Sequence, residues 1–149
     1  MASVSTYLNF VRNTEEAFNF YKTVFGGEFQ GNRIARFGDI PASPDYPPMK
    51  DEDKNLVMHV ELRILNSHTI MGTDAPESMG FHVNFGNNSH INLQPDTRKE
   101  TKELFDKLSA GGKVTMIKPA ILIIPGKHSA TIISMYLQII ILKLYWAFR

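Results

Sequence analysis

The sequence predicts an α+β fold built from two related halves, on three observations. The run Thr6-Tyr7-Leu8-Asn9-Phe10-Val11-Arg12-Asn13-Thr14, leading into a helix that ends at Gly26-Gly27, is nearly repeated by Ser89-His90-Ile91-Asn92-Leu93-Gln94-Pro95-Asp96-Thr97, leading into a helix that ends at Gly111-Gly112. A short alternating strand, a small polar cap, an amphipathic helix and a double glycine, met twice, is the signature of a duplicated supersecondary unit. The second observation is the clean alternation of Leu56 to Leu65, the best strand in the chain. The third is size: 149 residues, 43% hydrophobic and 21% charged, fill one domain with one core. The halves divide into a module at about 3–75 and a module at about 79–149, sharing one sheet.

Each element has a local reason. In the first strand Tyr7 and Asn9 fall on one face and Leu8 and Phe10 on the other, as a strand with a single buried side requires. Asn13, with Glu16 three residues on, is placed to cap the following helix. Ala17, Phe18, Tyr21 and Phe25 recur at helical spacing and read as a core stripe rather than an aromatic ligand box. Gly26-Gly27 ends the helix, since glycine enters the left-handed cap conformation without penalty. A second strand is expected over residues 28–38, then a loop from Asp39 to Lys54 in which Pro41, Pro44, Pro47 and Pro48 forbid a central strand. In the best strand Leu56, Met58, Val60, Leu62 and Ile64 face one way, and Val57, His59, Glu61 and Arg63 the other. Asn66-Ser67 turns the chain into a partner strand, His68 to Gly72, so the first half reads strand, helix, three strands. The second half opens with a connector at 73–88 that holds a short strand around Phe81 to Phe85. There follow a strand over His90 to Leu93, a helix capped by Thr97 and Glu100 with the stripe Leu104, Phe105 and Leu108, and a strand at 113–116.

Composition excludes several functions. A net charge of +1 and a pI near 8.0, with acids and bases mixed before residue 107, give no footprint for nucleic acid. The absence of cysteine removes disulfides, thiolate metal sites and cysteine nucleophiles, and fits a reducing cytoplasm. No secretory leader pattern stands at the N-terminus, and the longest uncharged apolar run, His128 to Leu142, is too short to span a bilayer. The expectation is a cytoplasmic protein with no membrane and no nucleic-acid partner.

Taken together, Tyr7-Leu8-Asn9-Phe10, Phe20-Tyr21 with Phe25-Gly26-Gly27, Met58-His59, Ile70-Met71-Gly72-Thr73-Asp74-Ala75-Pro76 and Gly86-Asn87-Asn88 through Thr115 resemble the PhnB-like branch of the vicinal-oxygen-chelate superfamily. That superfamily also holds glyoxalase I, bleomycin-resistance proteins and extradiol dioxygenases. The resemblance covers about residues 3–116. It implies two βαβββ modules forming a half-open, eight-stranded mixed barrel around a cleft, in a homodimer. From Ile117 the chain departs from the branch's closing motifs, and only Tyr145-Trp146-Ala147-Phe148 matches the usual ending. Between Lys107 and Arg149 there is no acidic residue, so the tail reads as either divergent or out of frame, and the second module as possibly incomplete.

The resemblance also implies a divalent metal held by four side chains, one on the first and one on the last strand of each module. Here only His90 falls on such a position; the others fall on Thr6 or Tyr7, on Ile70 or Met71, and around Trp146-Ala147. A complete site is therefore not expected, since about three protein ligands are typical of a catalytic zinc. His59, Glu61 and His90 remain weak candidates for a displaced divalent metal site. Strand faces give an independent list. If helices bury Leu8, Phe10, Ile91 and Leu93, the opposite face lines the concave side and carries Tyr7, Asn9, His59, Glu61, His90 and Asn92 as ligand-binding candidates, with Arg63 beside them. His59 and Glu61, two apart on one strand, project together as an acid–base pair or as hydrogen-bonded surface residues. His68, beside a turn, and His82, in a connector, read as solvated. The expected function is binding of a small molecule in the cleft without a complete metal site; the alternative is a metal-dependent lyase or isomerase. No glycine-rich strand-to-helix turn for an adenosyl cofactor is present, and the catalytic residues, if any, are not legible.

Overall fold

The computed structural model describes residues 2–41, 49–86, 89–110, 120–121 and 133–134. Pro44, Pro47 and Pro48, Asn87-Asn88, Gly111-Gly112, the strand expected at 113–116, and the tail other than its two short strands lie outside the described residues. The chain falls into two compact units, Met1–Phe85 and Gly86–Arg149.

The first unit runs β1 (Ser5–Phe10), α1 (Thr14–Phe25), β2 (Ala35–Arg36), β3 (Val57–Ile64) and β4 (His68–Asp74), the βαβββ order expected. These strands form a mixed sheet in the order β1-β4-β3-β2. β1 lies parallel to β4, β4 antiparallel to β3, and β3 antiparallel to β2. The alternation of β1 holds as read: Ser5, Tyr7 and Asn9 are exposed, Thr6 and Leu8 are half-buried and Phe10 is buried. On β3, Val60, Leu62 and Ile64 are buried together with Ile70 on β4.

Helix α1 covers that face. Phe10 meets Phe18 edge-on with ring centroids 6.1 Å apart, and Phe18 meets Tyr21 in the same manner at 5.7 Å. Burying a ring of this size contributes about 2–3 kcal/mol, so the aromatic stripe is the main adhesive between helix and sheet. Burial also pushes the Tyr21 phenol up to about 12. The stripe differs from the expected one at its end, where Val24 is buried and Phe25 only half-buried. Position 24 lies three residues after Tyr21 and stays on the covered face, whereas position 25 has rotated towards the rim. The helix rides so close to β4 that a Cβ on Gly72 would stand 2.3 Å from the Phe18 ring and 3.0 Å from Thr14. Gly26 closes the helix at φ 74°, with its N–H donating to the Lys22 carbonyl at 2.9 Å.

The start of α1 is not held as the sequence suggests. Asn13 occupies the cap position, but its side chain makes no capping hydrogen bond. Asp74, at the end of β4, does the work instead. Its Oδ1 accepts from the Thr14 N–H at 3.0 Å and the Thr14 hydroxyl at 2.7 Å, and its Oδ2 accepts from the Val57 N–H at 2.8 Å. A buried carboxylate at a helix N-terminus satisfies an orphan donor and meets the positive end of the helix dipole.

The segment after α1 is less regular than the strand expected over 28–38. Phe29 makes a lone bridge to Leu62, residues 30–32 and 37–39 are single 3-10 turns, and only Ala35–Arg36 pair with β3, across a register shift. Gly31, at φ 69°, breaks the extended run. Arg36 is fixed by an ion pair to Glu15 of α1, its Nη2 donating to both carboxylate oxygens at 2.9 and 3.0 Å. The expected loop begins after the turn that ends at Asp39, and the chain on its two sides is tied by the Gly38 N–H donating to the Lys54 carbonyl at 2.8 Å. Within it Asp53 is buried, accepting from Arg12 at 2.7 Å and Ser78 at 2.6 Å. β3 turns into β4 through Leu65 and Asn66, both at positive φ, with the Ser67 N–H donating to the Ile64 carbonyl at 3.2 Å.

In the second unit, α2 (Arg98–Ser109) matches its expected cap. The Thr97 hydroxyl accepts from the Glu100 N–H at 3.1 Å, and the Glu100 carboxylate accepts from the Asp96 N–H at 3.2 Å. Leu104 and Thr101 are buried, with Phe105 and Leu108 half-buried. The strands expected at 81–85 and 90–93 do not form; only Leu93 holds a single bridge position, and Phe81 and Phe85 are exposed. The second stretch offers two apolar residues, Ile91 and Leu93, before Pro95, which has no N–H to extend a ladder. In the tail, β5 (Ala120–Ile121) pairs antiparallel with β6 (Ile133–Ser134). Among the described residues, no helix is long and apolar enough to cross a membrane.

Asp74→Ala strands three donors in the interior, so urea unfolding is expected to show a loss of about 3 kcal/mol or more, whereas Asn13→Ala costs about 0.5 kcal/mol or less. Equal losses would contradict the capping role given to Asp74.

Asp53 supplies a pH dependence. The hydrogen bond from Ser78, and after it the Arg12 guanidinium, hold its carboxyl below the ordinary aspartate range. A depressed folded-state value makes its contribution complete above the unfolded value of about 3.9 and lost as the pH falls through the folded one. Denaturant midpoints followed from neutral pH into acid are expected to fall earlier, at higher pH, in Ser78→Ala than in the parent.

Candidate functional site

The face of the first unit's sheet opposite α1 carries the polar candidates. Sheet register sets it out in rows: Tyr7 beside Met71 beside Glu61, and Ser5 beside Thr69 beside Arg63. Asn9 lies beside Thr73, and Ala35 beside His59. Because every second residue of a strand points the same way, β1, β3 and β4 place these side chains on one side while Leu8, Val60, Leu62 and Ile70 fill the other.

Three of the candidates are brought together. The His59 Nε2 lies 2.8 Å from the Glu61 Oε1, and the His59 Nδ1 lies 3.4 Å from the Tyr7 hydroxyl. The Tyr7 and His59 rings stack with centroids 5.9 Å apart and planes inclined by 29°. Tyr7 is half exposed, while the His59 and Glu61 side chains keep 36% and 22% of their surface, sheltered enough for the pair to hold its geometry. A carboxylate only accepts, so in the neutral imidazole Glu61 fixes the His59 proton on Nε2 and leaves Nδ1 as the acceptor. Carboxylate, imidazole and hydroxyl in series are the parts of an acid–base relay.

Asn9 shares this face and is exposed. His90 and Asn92 belong to the second unit, where both are exposed on the segment that precedes α2. Met71 and Thr73, on the strand that the pairing puts between β1 and β3, join this face. Their alternation with Ile70, Gly72 and Asp74 was visible, but the face they share with Tyr7 follows only from the order β1-β4-β3. Thr73 is tethered, its hydroxyl within 3.2 Å of the Val57 carbonyl and 3.1 Å of its neighbour's. Arg63 is folded onto the hairpin, donating to the Asn66 carbonyl at 3.1 and 2.7 Å. His68 is half-buried with its Nε2 2.9 Å from the Thr6 hydroxyl, so it is a structural residue rather than the solvated one expected; His82 is exposed.

Among the described residues no three histidine, aspartate or glutamate side chains converge as ligands. The first-module positions that the resemblance gives to ligands, Thr6 or Tyr7 on β1 and Ile70 or Met71 on β4, lie side by side and carry neither imidazole nor carboxylate.

The geometry has counterparts among solved structures. The crystal structure of protein PA1353 from Pseudomonas aeruginosa matches with a TM-score of 0.64 and 28% identity, over 78% of this chain and 79% of that one. A PhnB protein from Bacillus cereus, named as a 3-demethylubiquinone-9 3-methyltransferase, matches with a TM-score of 0.53 and 25% identity, over 78% and 80%. The fold is PhnB-like. No known family pattern and no curated protein matches the chain. Within this PhnB-like fold, the Tyr7, His59 and Glu61 series lies on the sheet face that α1 leaves uncovered.

Long-range proton–nitrogen correlation of the His59 ring is expected to show the form protonated on Nε2 in the parent. A mixture of both neutral forms is expected in Glu61→Ala. The same pattern in both proteins would remove the orienting role of Glu61.

Proposed function

We propose that the protein binds a small molecule on the uncovered face of the first unit's sheet, as a PhnB-like protein of the glyoxalase and bleomycin-resistance type, with Tyr7, His59 and Glu61 as its polar contacts. The hydrogen-bonded series Tyr7, His59, Glu61 is the observation that carries this reading. Small-molecule sites combine apolar surface with a few polar groups already held in place. Here Met71 and the Tyr7 ring supply the first, and the His59–Glu61 pair the second. Asn9 lies beside the series as a further contact.

The metal-dependent lyase or isomerase reading has less behind it, because the first-module ligand positions fall on Thr6 or Tyr7 and on Ile70 or Met71, none of them a histidine or an acid. The methyltransferase name of the Bacillus cereus protein finds no support in the first unit's strand-to-helix turn. The turn from β1 into α1 is Val11-Arg12-Asn13, without glycine, and the helix N-terminus that would receive a cofactor's anionic group is already filled by the Asp74 carboxylate.

The test is a fragment screen read by amide chemical shifts. Binders are expected to move the signals of Tyr7, Asn9, His59 and Glu61, and His59→Ala or Tyr7→Ala to weaken them about tenfold, which is roughly 1.4 kcal/mol. Binders that map elsewhere would refute the site, and stoichiometric zinc, nickel or manganese surviving dialysis would favour the lyase.

A further inference from the structure

The acceptor at the centre of this site carries chemical information about what it receives. Since Glu61 fixes the proton of His59 on Nε2, the ring offers outward a single lone pair, at Nδ1. That lone pair is only loosely occupied: the Tyr7 hydroxyl stands 3.4 Å away, whereas a firm hydrogen bond from a hydroxyl is closer to about 2.8 Å. A ligand hydroxyl at ordinary distance would displace the tyrosine. The stacked Tyr7 and His59 rings lay an aromatic surface beside the acceptor, which favours a flat partner.

We propose that the site takes a planar compound with a weakly acidic hydroxyl, a phenol or an enol, and that His59 accepts its proton. This inference rests on the reading above and names its ligand class. The ligand's O–H bond breaks with the electron pair remaining on oxygen, and a new N–H bond forms at Nδ1. The imidazolium is held by the Glu61 carboxylate through Nε2–H, and the proton returns when the ligand leaves. The surroundings permit this charge arrangement. From the neighbouring strands His59 faces Ala35 and Tyr7, of which only the tyrosine titrates, and along its own strand it has Glu61 and Arg63. The Arg63 guanidinium is turned to the Asn66 carbonyl and away from the ring pair. In the proton transfer Glu61 acts through His59, whose Nδ1 receives the proton.

The probe is p-nitrophenol, whose visible absorbance reports the phenolate, with p-nitroanisole, its methyl ether, as the control. Bound p-nitrophenol is expected to show the phenolate spectrum at a pH where the free probe is still protonated, and p-nitroanisole to bind at least about tenfold more weakly. His59→Gln abolishes the phenolate signal. Glu61→Gln loses much of that signal. In the parent, the His59 ring nitrogens shift to the imidazolium pattern as the probe is added, a readout that holds even if a variant fails to fold. Absence of p-nitrophenol binding, a bound probe with the neutral spectrum, or equal affinity for the ether would overturn the proposal. If screened fragments still map to the Tyr7 and His59 face in those cases, small-molecule binding stands and only the ligand class falls. If no compound touches that face, the binding reading itself fails.

Discussion

The Asp74 carboxylate is the interaction on which the first unit depends. It takes hydrogen bonds from the first turn of α1 and from the start of β3 while sitting at the end of β4, so three elements far apart in sequence converge on two oxygen atoms. Without a partner, each of those donors would be a buried polar group away from water, and the cost of leaving them so exceeds the net value of an ordinary hydrogen bond. The carboxylate therefore does more than cap a helix: it sets the height at which α1 meets the sheet. With that height fixed, Phe18 and Tyr21 fall onto Phe10 and the apolar sides of β3 and β4.

Covering one side of the sheet defines the other. Strand periodicity assigns Tyr7, Glu61 and His59 to the side α1 does not reach, and the order β1-β4-β3 brings a residue near the N-terminus within reach of two residues more than fifty positions later. This face carries one asymmetry. The histidine is gripped firmly on one nitrogen and loosely on the other, so its orientation is set while its lone pair is still accessible.

Much of this was legible from residue order alone. Alternation gave β1 and β3 their faces, helical spacing gave α1 and α2, and Thr97 with Glu100 gave the cap of α2, because each of these signals is local. What escaped was set by partners distant in sequence. Asn13 looks like a cap, yet Asp74 takes that role because the parallel pairing of β1 with β4 delivers its carboxylate to the same turn. Residues 28–38 look like a strand, yet Gly31 and the Arg36–Glu15 pair leave only two residues in the ladder. At the site, the pairing of His59 with Glu61 was foreseeable from their spacing, whereas the stacking of Tyr7 on His59 required the sheet order.

The close seat of α1 on β4 has a consequence for how this fold can change over time. Nothing larger than hydrogen fits at position 72 while a full aromatic ring stands over it at position 18. Drift at either place is thus not independent of the other. Lineages that enlarge the first must trim the second or lift the helix, so the pair should vary as a matched set, one bulky and one bare.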